Sequence, residues 1–188
     1  MNKCIVLSAP SGSGKTTLAK RLMEHADLKL AFSVSATSRA PRGQEKQGEA
    51  YFFMSVEEFR EQIQAGAFVE YEEVYPDMFY GTLHSEIERI WAQGKHVVFD
   101  IDAVGGINIK NKYPTQTCSI FIKPPNMEVL SQRLYQRNTD SSEAIEVRLQ
   151  KATQEMAMAD QFDHIITNDN LEQAQSELYR IVADFLNQ

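Results

Sequence analysis

Lys3-Cys-Ile-Val-Leu-Ser-Ala-Pro-Ser-Gly-Ser-Gly-Lys15-Thr16-Thr17 begins with an apolar run and ends with a lysine followed by two hydroxyls. The run Lys3–Ser8 predicts a short strand buried on both faces. Leu18, Leu22 and Ala26 then recur at helical spacing, which predicts a helix over Lys15–His25. A glycine-rich turn between a strand and a helix has a definite physical use. Glycines let successive backbone N–H groups turn inward and form a nest for phosphate oxygens. The helix directs the positive end of its dipole at the same point. The candidate phosphate-binding residues are Ser11, Gly12, Ser13, Gly14, Lys15, Thr16 and Thr17. Lys15 is expected to reach the β and γ oxygens of ATP, and Thr16 to offer its hydroxyl to Mg²⁺. Ala9 stands where such loops usually have their first glycine, a change expected to be harmless.

Outward from this loop the pattern alternates. His96–Ile101, Thr117–Ile122 and His164–Thr167 read as further buried strands, and Leu83–Gln93, Met127–Arg137, Ser142–Asp160 and Leu171–Leu186 as helices. Strand alternating with helix implies an α/β protein, a central parallel sheet covered on both faces. Asp100 ends one of the apolar strands, where enzymes with this loop place a carboxylate that holds Mg²⁺ through water. Asp102 precedes helix-like sequence and is the better helix-cap candidate. Between Phe32 and Gly81 the rhythm breaks into short strand-like runs, Tyr51–Met54 and Ala67–Val74, around a helix at Val56–Ala65. This stretch predicts a small mixed insert, its helix opened by a capping box of Ser55 and Glu58.

The chain has 188 residues, 43% hydrophobic and 24% charged, enough for one domain with a full core. Its net charge of -7 speaks against non-specific nucleic-acid binding, so an anionic ligand must meet local positive charge. No run approaches the length of a membrane span. Cys4 and Cys118 sit in apolar runs and fit neither a disulfide framework nor a zinc site. Expectations from these features are a cytoplasmic location, no nucleic-acid or membrane partner, and a monomer or homodimer.

Two groups of arginines offer that charge. Arg39 and Arg42 flank Pro41 in a polar loop after a strand at Phe32–Val34. Guanidinium forks suit bidentate phosphate contacts, and Tyr51 and Tyr80 could add phenolic hydrogen bonds to the same anion. Read alone, a solvated loop accounts for the pair equally well. Arg133 and Arg137 lie four apart on one helical face, and Arg148 follows a polar break at Asn138–Ser142. A helical hairpin bearing three cations can close over transferring phosphates. Ion pairs with Glu143 or Glu146 are the plainer alternative. Ser35, Glu70, Thr82 and Asp102 combine hydroxyl donors with carboxylate acceptors. That pattern matches guanine, whose ring N–H and exocyclic amine need acceptors.

Together these stretches resemble the guanylate kinase family over nearly the whole chain. The similarity is carried by Ala9–Thr17, Phe32–Gly43, Gly48–Phe53, Phe68–Tyr71, Phe79–Thr82, Phe99–Gly105, the hairpin arginines and Ile166–Asp169. The resemblance implies a three-layer P-loop NTPase fold with a small mixed α+β GMP-binding insert at 35–82, a core of 1–34, 83–132 and 161–188, and a helical lid at about 133–160. It implies Mg²⁺-dependent transfer of the ATP γ-phosphoryl group to GMP. Arg39, Arg42, Tyr51 and Tyr80 would hold the GMP phosphate, and Ser35, Glu70, Thr82 and Asp102 would read guanine. Lys15, Thr16 and Asp100 would serve ATP and Mg²⁺, Arg133, Arg137 and Arg148 would clamp the transferring group, and Asn168 would lie near the adenine or the lid hinge. The chain departs from the family at Gly43, one place early before Gln44 and Glu45, at Val104, and in a Glu73–Met78 segment one residue longer. The competing readings are a kinase for another nucleoside monophosphate, or a protein-binding domain of this fold that has lost catalysis.

Overall fold

The computed structural model describes residues 2–136 and 142–188. Along β1 (Cys4–Ser8) every residue is buried, because alternate side chains enter two different cores. Ile5 and Leu7 pack with Leu18 and Leu22 of α1 (Lys15–Met23) and with Leu178 and Val182 of α7 (Leu171–Leu186). Cys4 and Val6 point the other way, toward Ile87 and Ile90 of α3 (His84–Ala92) and Ile109 of α4 (Ala103–Lys112). The period of two along the strand thus builds a three-layer sandwich. Burial pushes both thiols, Cys4 and Cys118, up to about 12, so each is a small hydrophobe.

The central sheet has the order β2-β7-β1-β8-β9 and every pairing in it is parallel. Its other strands are β2 (Leu30–Phe32), β7 (His96–Asp100), β8 (Thr117–Lys123) and β9 (His164–Thr167). Two further helices, α5 (Met127–Gln136) and α6 (Ser142–Met156), pack on each other through Leu130, Leu134, Ile145 and Ala152. The expected end of α5 at Arg137 lies outside the described residues.

A second, mixed sheet of order β4-β3-β6-β5 stands beside the first. It comprises β3 (Ala36–Thr37), β4 (Phe52–Phe53), β5 (Phe68–Tyr75) and β6 (Met78–Leu83), with α2 (Val56–Gln64) packed on it. Phe59 of α2 is fully buried and stacks on Phe68 and Phe79 at centroid distances of 4.4 and 5.2 Å. Both halves of the capping box at Ser55 and Glu58 are present. The β5–β6 pairing carries a register shift between Glu73 and Tyr75.

One boundary differs from the sequence reading. The strand expected at Phe32–Val34 ends at Phe32, and the reason is a side chain far along the chain. Ser33 N–H makes the last ladder bond, to Val98 O at 2.9 Å. Val34 N–H instead donates to the buried Glu86 carboxylate at 3.0 Å. Glu86 also receives Arg89 through Nε and Nη2, both at 2.8 Å. The chain leaves the core sheet where Glu86 takes over its backbone donor, and Ala36–Thr37, expected as loop, becomes an inner strand of the second sheet.

Replacing Glu86 by Ala is expected to lower stability by about 1–3 kcal/mol, because a part-buried N–H and a guanidinium lose their acceptor together. Denaturant titration checks this. Arg89→Ala, at a half-exposed position, is expected to cost under about 1 kcal/mol.

Candidate active site

The phosphate loop takes its shape from two residues in the left-handed region, Gly12 at φ +95° and Gly14 at φ +90°. A Cβ on Gly12 would stand 3.0 Å from Leu130 and Leu134 of α5, so the loop also needs the missing side chain for packing. Gly14 is the N-cap of α1 and has no side-chain cap, which leaves the first N–H groups directed into the loop. Asn168 fixes the loop from behind: its amide donates to Ser13 O at 2.7 Å from a 5% exposed position. Ala9 is buried, and it is not among the residues of positive φ. The turn needs its glycines at 12 and 14, not at 9.

Lys15 Nζ lies 2.5 Å from Asp100 Oδ1 and donates to Ile101 O at 3.0 Å. The parallel pairing of β1 with β7, which sets Leu7 opposite Asp100, brings the two groups together. Thr16, in the first turn of α1, keeps an exposed side chain. An exposed hydroxyl beside a carboxylate is a hard-oxygen set suited to Mg²⁺. Among the described residues no group of three or more acids, histidines or cysteines could hold a metal alone. Two ligands with phosphate oxygens completing the shell is the usual arrangement for this ion.

One cleft of about 520 Å³ runs from this loop to the second sheet. Lys15, Thr16 and Asp100 line one end, Ser35, Tyr51, Glu70 and Tyr80 the other, and Arg148 lies along it. Arg148 also donates to Ser11 Oγ at 3.4 Å. A second hollow of about 370 Å³, behind the loop, is lined by Gly12, Gly14, Thr17, Arg133 and Asn168. There Arg133 donates to Asn168 O at 3.1 Å. Arg137 lies outside the described residues.

At the far end, Arg39 is neither solvated nor free. Its guanidinium makes two bonds to Glu45 at 2.6 and 2.8 Å, meets Tyr80 OH through Nε at 3.1 Å, and lies 4.9 Å from the Tyr51 ring centroid. These bonds to Arg39 hold the Glu45 carboxyl down at about 2. Glu45 also accepts from Arg42 N–H at 2.8 Å, whereas the Arg42 residue itself is exposed and does not line the cleft. Thr82 is buried and donates to Glu70 at 2.6 Å, and burial raises the Glu70 pKa. Asp102 caps α4, accepting from Gly105 N–H at 2.9 Å.

The sequence reading did not single out Glu45, Glu72, Lys151 or Glu155. Lys151 and Glu155 line the cleft with Arg148, and their spacing of three and seven along α6 would have marked them as one face. Glu72 follows Glu70 by two on β5, the signature of a shared face. Glu45 carries no such signal, because its role depends on how the loop after Arg42 turns back.

A glycine-shaped anion nest at a helix start, a strand-end carboxylate beside its lysine, and a second cationic pocket across one cleft define a P-loop phosphotransferase. The comparisons with known proteins agree. The family model described as guanylate kinase matches residues 1–185. Guanylate kinase from Bacteroides thetaiotaomicron is 52% identical over 185 residues, 98% of this chain and 90% of that one. The Porphyromonas gingivalis guanylate kinase is 50% identical, covering 99% of both chains. The crystal structure of guanylate kinase from Anaplasma phagocytophilum superposes with a TM-score of 0.77 at 29% identity, covering 100% of this chain and 87% of that one. The chain belongs to the guanylate kinase family.

Lys15→Met is expected to lower kcat by at least about 10²-fold while leaving the denaturation midpoint nearly unchanged. Near-normal turnover in a coupled assay would remove Lys15 from the chemistry.

Proposed function

We propose that this chain transfers the γ-phosphoryl group of ATP to GMP, giving ADP and GDP. The observation that carries this reading is the single cleft joining the phosphate loop to Tyr51, Glu70 and Tyr80. ATP places its phosphates in the nest of residues 11–17, with the adenine toward the hollow formed by Arg133 and Asn168. GMP takes the opposite end, its phosphate on Arg39, Arg42, Tyr51 and Tyr80, its base on Ser35, Glu70, Thr82 and Asp102. The working units are a core of 1–34, 83–132 and 161–188, an insert of 35–82, and a lid of about 133–160.

The acceptor is already an anion, so no strong general base is needed. The difficulty is to bring two anions together, and the residues address it with positive charge fixed before the reaction. Lys15 takes the β and γ oxygens once phosphate displaces Asp100. Arg39 exchanges Glu45 for the GMP phosphate without leaving the Tyr80 hydroxyl. Arg148, beside Ser11, is placed to neutralise charge on the transferring group. Thr16 and Asp100 would hold Mg²⁺, directly and through water. When bound, the ion supplies positive charge to phosphate oxygens. Closing the two ends of the cleft excludes water, which would otherwise receive the phosphoryl group. Buried thiols and the lack of any membrane-crossing helix among the described residues suit a reducing, cytoplasmic setting.

The test is a coupled assay with GMP, AMP, UMP and dTMP as acceptors, in which GMP is expected to lead by at least about 10²-fold in kcat/KM. Preference for another acceptor would overturn the reading. Glu70→Gln is expected to raise KM for GMP about tenfold or more and to leave KM for ATP within about twofold. Burial raises the Glu70 pKa above its ordinary 4.5, and only the ionised form accepts from both guanine donors. GMP affinity should therefore weaken as pH falls through that raised value, and the Gln variant should lose this dependence.

A further inference from the structure

The chain leaves the core sheet after Ser33 and returns at Leu83, where β6 runs directly into α3. The two crossings meet at one side chain, Glu86. It occupies the third position of α3, where a carboxylate ordinarily turns back to the N-cap of its own helix. Here its Oε1 accepts instead from Val34 N–H of the other crossing, at 3.0 Å. Arg89, one turn further along α3, donates through Nη2 to the same Oε1 and through Nε to Oε2, each at 2.8 Å. A bidentate guanidinium fixes the plane of a carboxylate. Glu86 is 2% exposed, so burial and Arg89 together set its direction before any ligand arrives.

Val34 immediately precedes Ser35, which lines the cleft at its guanine end. Ser35 O accepts from Phe52 N–H at 2.9 Å. The residue is therefore pinned on one side by Glu86, through Val34, and on the other by β4. The next residue, Ala36, stands opposite Gly81 in the antiparallel pairing of β3 with β6. One step back along that pairing come Ser35 and Thr82, the two hydroxyl residues assigned to the base. Thr82 is buried and donates to Glu70 at 2.6 Å, so its side chain has a support of its own. Ser35 is half-buried, and its place against the cleft is set by the backbone bonds on either side of it.

We propose that Glu86 is a positioning residue for guanine recognition, holding Val34 so that Ser35 presents its hydroxyl to the base. The inference rests on the assignment of Ser35 to guanine. Glu86 itself touches no substrate. Peptide units are planar, so a Val34 N–H held in place leaves Ser35 only a few rotations from a fixed point. Misplacing a binding group by about 1 Å is enough to forfeit much of its contribution. What the position requires is an acceptor for Val34 N–H, and the negative charge serves Arg89. The phosphate loop, at the other end of the cleft, is held by Asn168 and α5, so ATP binding does not depend on this clamp.

The experiment is steady-state kinetics of the full chain, varying GMP and ATP in turn. Glu86→Met fills the buried space without an acceptor. It is expected to raise KM for GMP about fivefold to tenfold, with KM for ATP within about twofold. Glu86→Gln keeps an oxygen for Val34 N–H, while the half-exposed Arg89 can turn to solvent, and is expected to stay within about threefold of wild type. In a Ser35→Ala background, Glu86→Met is expected to add less than about twofold, because its effect runs through a hydroxyl already removed. Val182→Ala, a cavity in the core far from the crossing, lowers the melting temperature and is expected to leave KM for GMP unchanged. Glu86→Leu replaces Met in each comparison if the Met variant does not fold. An unchanged KM for GMP without the acceptor, equal rises for GMP and ATP, a Gln variant as impaired as Met, or a full additional effect in the Ser35→Ala background would each overturn the inference. A wild-type chain that does not phosphorylate GMP would overturn the acceptor assignment, and this inference with it.

Discussion

The contact on which the site depends is the 2.5 Å ion pair of Lys15 with Asp100. It exists because β1 and β7 pair in parallel with Leu7 opposite Asp100, so a lysine one turn past one strand meets a carboxylate at the end of the next. The pair neutralises Lys15 in the free chain and keeps its ammonium within reach of the glycine loop. Asn168 and the leucines of α5 hold that loop from the other side. β1, β7, α5 and the segment after β9 thus all converge on the space where phosphates belong.

The same device recurs at the far end of the cleft. Arg39 is held by Glu45, Tyr80 and Tyr51 before any phosphate arrives, as Lys15 is held by Asp100. A cation already ordered loses little side-chain entropy when its ligand comes, since one acceptor replaces another. The cost is that the phosphate must compete with a carboxylate. A dianion making bidentate contact is the kind of ligand that can do so.

Between these two cations the cleft reverses sign. Glu70 and Asp102 line the region assigned to the base, with Lys151 Nζ 3.9 Å from Asp102 Oδ2. A nucleoside monophosphate has the complementary layout, an anionic phosphate at one end and, in guanine, N–H donors at the other. The chain's net charge of -7 is therefore compatible with binding two anions, because selectivity lies in where the charge is placed.

The amino-acid sequence by itself determined the alternating strand–helix order, the glycine loop with Lys15 and Thr16, and the strand-end Asp100. These features are local: periodicity, turn chemistry and one contiguous motif suffice to read them. The guanylate kinase resemblance added the assignments of Arg39, Tyr51, Glu70 and Tyr80. Tertiary structure alone decided what each polar group pairs with. Val34 leaves the sheet because Glu86, 52 positions later, takes its N–H. Glu45 becomes the counterion of Arg39, and Lys151 comes to lie beside Asp102 across 49 residues of sequence. Pairings between residues far apart in the chain depend on how sheets and helices stack, and no local pattern encodes that distance. The reading of the Ala9–Thr17 loop needed only its own residues. The reading of the pocket opposite it needed the whole fold.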